Sequence, residues 1–84
     1  MTAKDWFTGF AAVLGVAPPT GDEVRDLLHL AGEAAHASER IAAPITCWLI
    51  ARAGVSPAEA LQLLEQWKAQ GFLGVPTSTR KQEG

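Results

Sequence analysis

The sequence predicts an all-α fold, a small four-helix bundle of up-down topology with short loops and a flexible C-terminal tail. Three observations carry that expectation. Apolar residues recur at helical spacing in four stretches, glycine or proline punctuates the chain between them, and nothing alternates with period two over a useful length. Fifteen alanines and no tyrosine favour helix over strand in the same direction.

The first helix is expected from about Ala3 to Leu14. Trp6, Phe7, Phe10, Val13 and Leu14 give it one apolar face, Gly15 suits the residue just past its end, and Pro18-Pro19 forbids continuation. The second runs from about Asp22 to Arg40, with Thr20 or Gly21 near its cap. Asp22 and Glu23 occupy the first turn, where the helix dipole favours acids. Its inner stripe reads Val24, Leu27, Leu28, Ala31, Ala35 and Ser38.

The third helix is expected to begin near Pro44 and to end before Gly54. Its centre, Ile45 to Ala51, is apolar almost all the way round, so it is either the central helix or has a spare face for a partner. Ser56-Pro57-Ala58-Glu59 opens the fourth with a serine cap, proline at the first position and glutamate three residues on. Ala60, Leu61, Leu64 and Trp67 form its inner face, Gly71 ends it, and Phe72, Leu73 and Val75 are expected to fold back onto the core. Residues 1–75 are read as one domain and 76–84 as the tail. The short connections imply antiparallel neighbours.

Composition narrows the function classes. A chain of 84 residues and 8.9 kDa buries only about 60–65% of the surface it exposes unfolded, which leaves little room for a deep enzyme cleft. The formal net charge of −2 argues against nucleic acid, whose binding rests on clustered positive charge. One cysteine makes no intramolecular disulfide, as in a reducing compartment. The uncharged stretch from Trp6 to Thr20 is broken by glycine and proline and is too short for a membrane span. Asp5 stands where a signal peptide needs positive charge, so a cytoplasmic protein is expected.

The most informative polar pattern lies on the second helix. Asp22, Asp26, His29, Glu33, His36 and Arg40 share the face opposite its leucines. Any solvated helix face looks so, and a docking face read by charge and imidazole is the functional alternative. His29, Glu33 and His36 could direct ligand atoms to one metal ion, and Glu33-x-x-His36 has the spacing of di-iron bundles. Those bundles need two such motifs facing inward, and here one faces outward. Cys47, in the most apolar helix, reads as an inert small hydrophobe. No Ser-His-Asp set, phosphate loop or Asp-Ser-Leu carrier motif occurs, so neither catalytic residues nor a cofactor are expected. The aromatics at Trp6, Phe7, Phe10, Trp48, Trp67 and Phe72 read as core, although an indole left at the surface beside Ile45 or Ile50 would be an interface anchor.

Ala35-His36 and Glu39-Arg40-Ile41-Ala42-Ala43-Pro44-Ile45-Thr46, with Trp6 and Leu14-Gly15 upstream, carry a family resemblance. From about Asp5 to Trp67 the chain resembles small, uncharacterised, mainly actinobacterial helical domains. These occur alone or fused to the C-terminus of molybdenum cofactor guanylyltransferase-like proteins. Members often have proline where this chain has Ile41. The resemblance implies a helical accessory role near molybdenum cofactor maturation, and it directs attention to the corner between the second and third helices. The expected function is accordingly a non-enzymatic module docking to a partner protein, a molybdenum cofactor enzyme being the candidate. The residues expected to carry it are His29, Glu33, His36 and Arg40 on the second helix, with Pro44 and Thr46 at the corner. A small anionic ligand or a metal at the same face is the alternative. A homodimer through the third helix is expected from its surplus apolar circumference, and neither nucleic acid nor membrane is expected as a partner.

Overall fold

Short polar signals start three of the four helices. In the computed structural model, which describes residues 1–76, α1 spans Ala3–Leu14, α2 Gly21–Ala37, α3 Ala42–Ala53 and α4 Pro57–Ala69. The Thr2 hydroxyl accepts from the Asp5 N–H (3.1 Å) while the Asp5 carboxylate accepts from the Thr2 N–H (3.3 Å). Thr20 and Glu23 close the same reciprocal box at α2, at 3.1 and 2.8 Å. Ser56 accepts from the Glu59 N–H at 3.1 Å, with Pro57 at the first helical position. Each satisfies backbone donors that a helix start otherwise leaves bare. At the other ends, Gly15 (φ 75°) and Gly54 (φ 72°) take the left-handed conformation that costs glycine nothing, stopping α1 and α3 where the sequence predicts.

The all-α class is thus the one found, and among the described residues there is no strand. No helix among them is long and apolar enough to cross a membrane. The tail expected over residues 76–84 lies, from 77 onward, outside the described residues.

Two boundaries differ from expectation. The second helix ends at Ala37 instead of Arg40, because Ser38 (φ −133°, ψ −102°) leaves helical geometry. The third starts at Ala42, two residues before Pro44. Proline tolerates that first-turn place because the N–H it lacks has no helical partner there.

The hub of the fold is α2. It packs against both α3 and α4, and no other pair of helices approaches as closely. The nearly all-apolar α3 is therefore not central, and its spare face stays open. Because two helices cover α2, its sheltered arc sweeps roughly 200°, from Glu33 through Leu30, Ala34, Leu27 and Ala31 to Ala35. Leu30, outside the expected stripe, is its one fully buried residue, whereas Leu28, inside that stripe, is 69% exposed.

The largest departure is α1. Only Ala11 is buried and Phe7 half-buried, while Trp6, Phe10, Val13 and Leu14 face solvent. The reason is the Gly15–Thr20 connection. Its Pro18 and Pro19, together with Gly21 and Val24, line a shallow cavity of about 330 Å³ with Lys4, Phe7 and Thr8, so α1 engages the chain on its Phe7 side. Across the described residues the buried apolar core is Ala11, Leu30 and Ala60. Beyond α4, Phe72 folds back as expected and meets the Trp67 ring edge-on at 4.9 Å. Leu73 and Val75 remain exposed. Leu73 contributes its carbonyl instead, accepting from the Trp67 indole N–H at 2.8 Å.

Candidate functional site

The polar face of α2 is divided among local partners. Arg25 bonds both Asp22 (3.2 Å) and Asp26 (3.1 Å), and the Asp26 side chain is turned largely out of solvent. One turn on, the His29 ring nitrogen lies 4.0 Å from Glu33. Glu33 itself reaches across to α4, where Lys68 Nζ donates to Oε1 at 2.9 Å and also lies 3.4 Å from Glu65. The Lys68 hydrogen bond and positive charge hold the Glu33 carboxyl below the usual carboxylate range, with smaller help from His29 and His36. The hydrogen bond to Glu33 raises the Lys68 ammonium in turn. Lys68 was not legible as a site residue, because it lies 35 positions away and only the helix packing joins the two.

Of the six expected site residues, the fold joins Glu33 to His29 and sets Thr46 near Glu33 in one groove. This groove, of about 430 Å³, lies where the C-terminal halves of α2 and α4 meet the start of α3. Leu30, Ala34, Leu64, Trp67 and Phe72 make it mainly apolar, and the Glu33–Lys68 pair sits in its wall. His36 and Arg40 are not brought together as a helical pair. The helix stops between them, both are exposed, and neither has an ion-pair partner among the described residues. Among the described residues no three His, Cys, Asp or Glu side chains converge as a metal ion requires. Cys47 is half-buried.

Pro44 borders a different surface, and Arg40 precedes it in the chain. At 100° per residue Ile41, Ile45, Trp48, Leu49 and Arg52 fall within roughly 100° of one another on the outer side of α3, with Pro44 at the edge. All four large apolar residues there are more than half exposed. The Arg52 guanidinium lies 5.0 Å from the centre of the Trp48 ring, a cation–π contact that holds the indole in place. No acidic residue occurs in α3, so the face is an apolar stripe with Arg40 before it and Arg52 at its end. Ala43, Thr46, Cys47 and Ile50 take the sheltered sides, which is why this helix is apolar nearly all round. Trp48, expected in the core with the other aromatics, lies instead at the surface beside Ile45, because α2 covers only one side of α3.

Residues 1–71 match the model of a family described as a domain of unknown function, DUF6457. Among the curated proteins and the solved structures, nothing matches the chain.

Proposed function

The chain belongs to the DUF6457 family, a domain of unknown function, and from that premise we propose that it is a non-enzymatic docking module which binds a partner protein through the outer face of α3. One observation carries this reading. Trp48, more than half exposed, is braced by Arg52 in the middle of a stripe formed by Ile41, Ile45 and Leu49. Tryptophan and arginine are the residues most enriched where binding energy concentrates, and an indole already held in one orientation loses little freedom on binding. The positive charge of Arg52, within the stripe, favours a partner whose apolar groove has an acidic rim. His36 stands exposed at the end of α2, near this corner.

The partner to which the resemblance leads is a molybdenum cofactor guanylyltransferase-like protein of an actinobacterial cytosol, since similar domains are fused to such proteins. Titration of that purified protein with this chain tests the reading. Trp48→Ala is expected to weaken binding by about 30-fold, the equivalent of roughly 2 kcal/mol. Arg40→Glu/His36→Ala is expected to slow association and to remove its salt dependence. Equal binding by the wild type and by a folded Trp48→Ala protein would overturn the assignment of the face.

A further inference from the structure

The outer face of α1 is a second apolar surface, independent of the first. Trp6, Phe10, Val13 and Leu14 recur at i, i+4, i+7 and i+8 and fall within roughly 100° of one another, alongside the Phe7–Ala11 side that meets the rest of the chain. All four are exposed, Val13 at 78%. The Trp6 and Phe10 rings stack with centroids 5.8 Å apart, forming a continuous aromatic plate. We propose that this stripe pairs with the same stripe of a second copy of the chain, the two α1 helices running antiparallel about a twofold axis near Phe10.

Four features select a second copy as the occupant. The stripe is self-complementary in size: with Phe10 at the axis, the bulky Trp6 of one copy meets the smaller Val13 and Leu14 of the other, and the reverse contact repeats it. The stripe is also uncharged. Lys4 and Asp5 lie off it, and the Asp5 carboxylate is occupied by the Thr2 N–H. On α3, by contrast, the stripe carries the charge of Arg52, which suits a partner with an acidic group better than a second copy. The area is sufficient as well. The four side chains expose on the order of 500 Å² per copy, so complete pairing takes up to about 1,000 Å² from water, the lower bound for a specific interface. Exposed Met1 and Val16 at the two ends add to it. Lastly, Gly9 stands at the edge of the stripe in mid-helix, and a Cβ built there would meet nothing within 4 Å in its own chain. A glycine that its own fold does not need weakens the helix, and a close crossing helix is what it admits.

The test uses the full chain. Sedimentation equilibrium over a hundredfold concentration range is expected to give about twice the 8.9 kDa chain mass at the upper end. Phe10→Glu is expected to yield only monomer, with helical circular dichroism retained because Phe10 lies outside the core. Gly9→Ala is expected to keep or raise helicity while weakening association by about tenfold. In a Cys47→Ser background, Phe10→Cys is expected to oxidise to a disulfide-linked dimer and Thr8→Cys, on the opposite side of α1, is not. This cross-link decides the matter should Phe10→Glu fail to fold. A monomeric wild type at every concentration, or a dimer that survives Phe10→Glu and is broken by Trp48→Glu, would overturn the proposal. The first result leaves the partner assigned to the α3 face untouched, whereas the second would put a second copy on that face in its place.

Discussion

Glu33 and Lys68 show how one ion pair ties distant parts of the chain. The pair is partly open to water, which limits its strength. Glu33 nevertheless titrates below its ordinary range, so its contribution to stability is complete above that range and disappears as pH falls through the lowered value. Lys68, raised by the same partner, keeps its contribution until pH climbs through the raised value. Thermal melts of the wild type and Glu33→Gln are therefore expected to differ at neutral pH and to converge in acid, as pH falls through the lowered Glu33 value. A constant offset at all pH values would show that the variant loses packing and not charge. Lys68→Met is expected to reproduce the convergence, because it removes the other end of the same contact.

At the scale of the element, helix ends were legible and helix rotations were not. Thr20, Glu23, Ser56, Pro57, Gly15 and Gly54 act within one turn of themselves, so their meaning survives any packing. The same logic yields an expected outcome: Thr20→Ala removes the box at the start of the hub helix and costs about 1 kcal/mol, measured by urea denaturation. The end of α2 escaped the sequence because no glycine or proline marks it; Ser38 breaks the helix through its backbone angles alone. Orientation is harder still. On α1 the apolar residues occupy a broad arc, and nothing local says whether the Phe7 edge or the Trp6–Phe10 centre turns inward. On α2 an expectation of one inner stripe failed because two neighbours cover it. Of the candidate site, the sequence singled out Arg40 and Pro44 at the corner, while the exposed stripe of α3 that follows them, with Trp48 expected in the core, came to light only in the packing.

For the whole molecule the decisive quantity is the small core. Leu30 is 3% exposed at the meeting of α2 with its neighbours, and Leu30→Ala is expected to cost about 2–5 kcal/mol. Single domains of this size have a net stability of only a few kcal/mol, so that variant is expected to lose its cooperative melt near room temperature. Leu28→Ala, two residues away and exposed, is expected to leave the melt within about 0.5 kcal/mol of the wild type. Similar losses for both variants would mean that α2 is not buried on the side described. A chain whose α1 and α3 both present apolar stripes to water also gains from any partner that covers them, because binding to the folded form alone raises its stability.

By itself the sequence determined the helical class, the number of helices and most of their ends, the end of α2 and the start of α3 excepted. Those depend on hydrogen bonds and backbone preferences within a few residues of each other. The tertiary structure decided which helix is central, that Lys68 answers Glu33, and that Trp6, Phe10, Ile45 and Trp48 lie outside instead of in the core. Apolar periodicity says that a face must leave water; it does not say whether its own chain or another will cover it. In a chain this short there are more such faces than one hub helix can bury, and only the packing reveals which of them are left over.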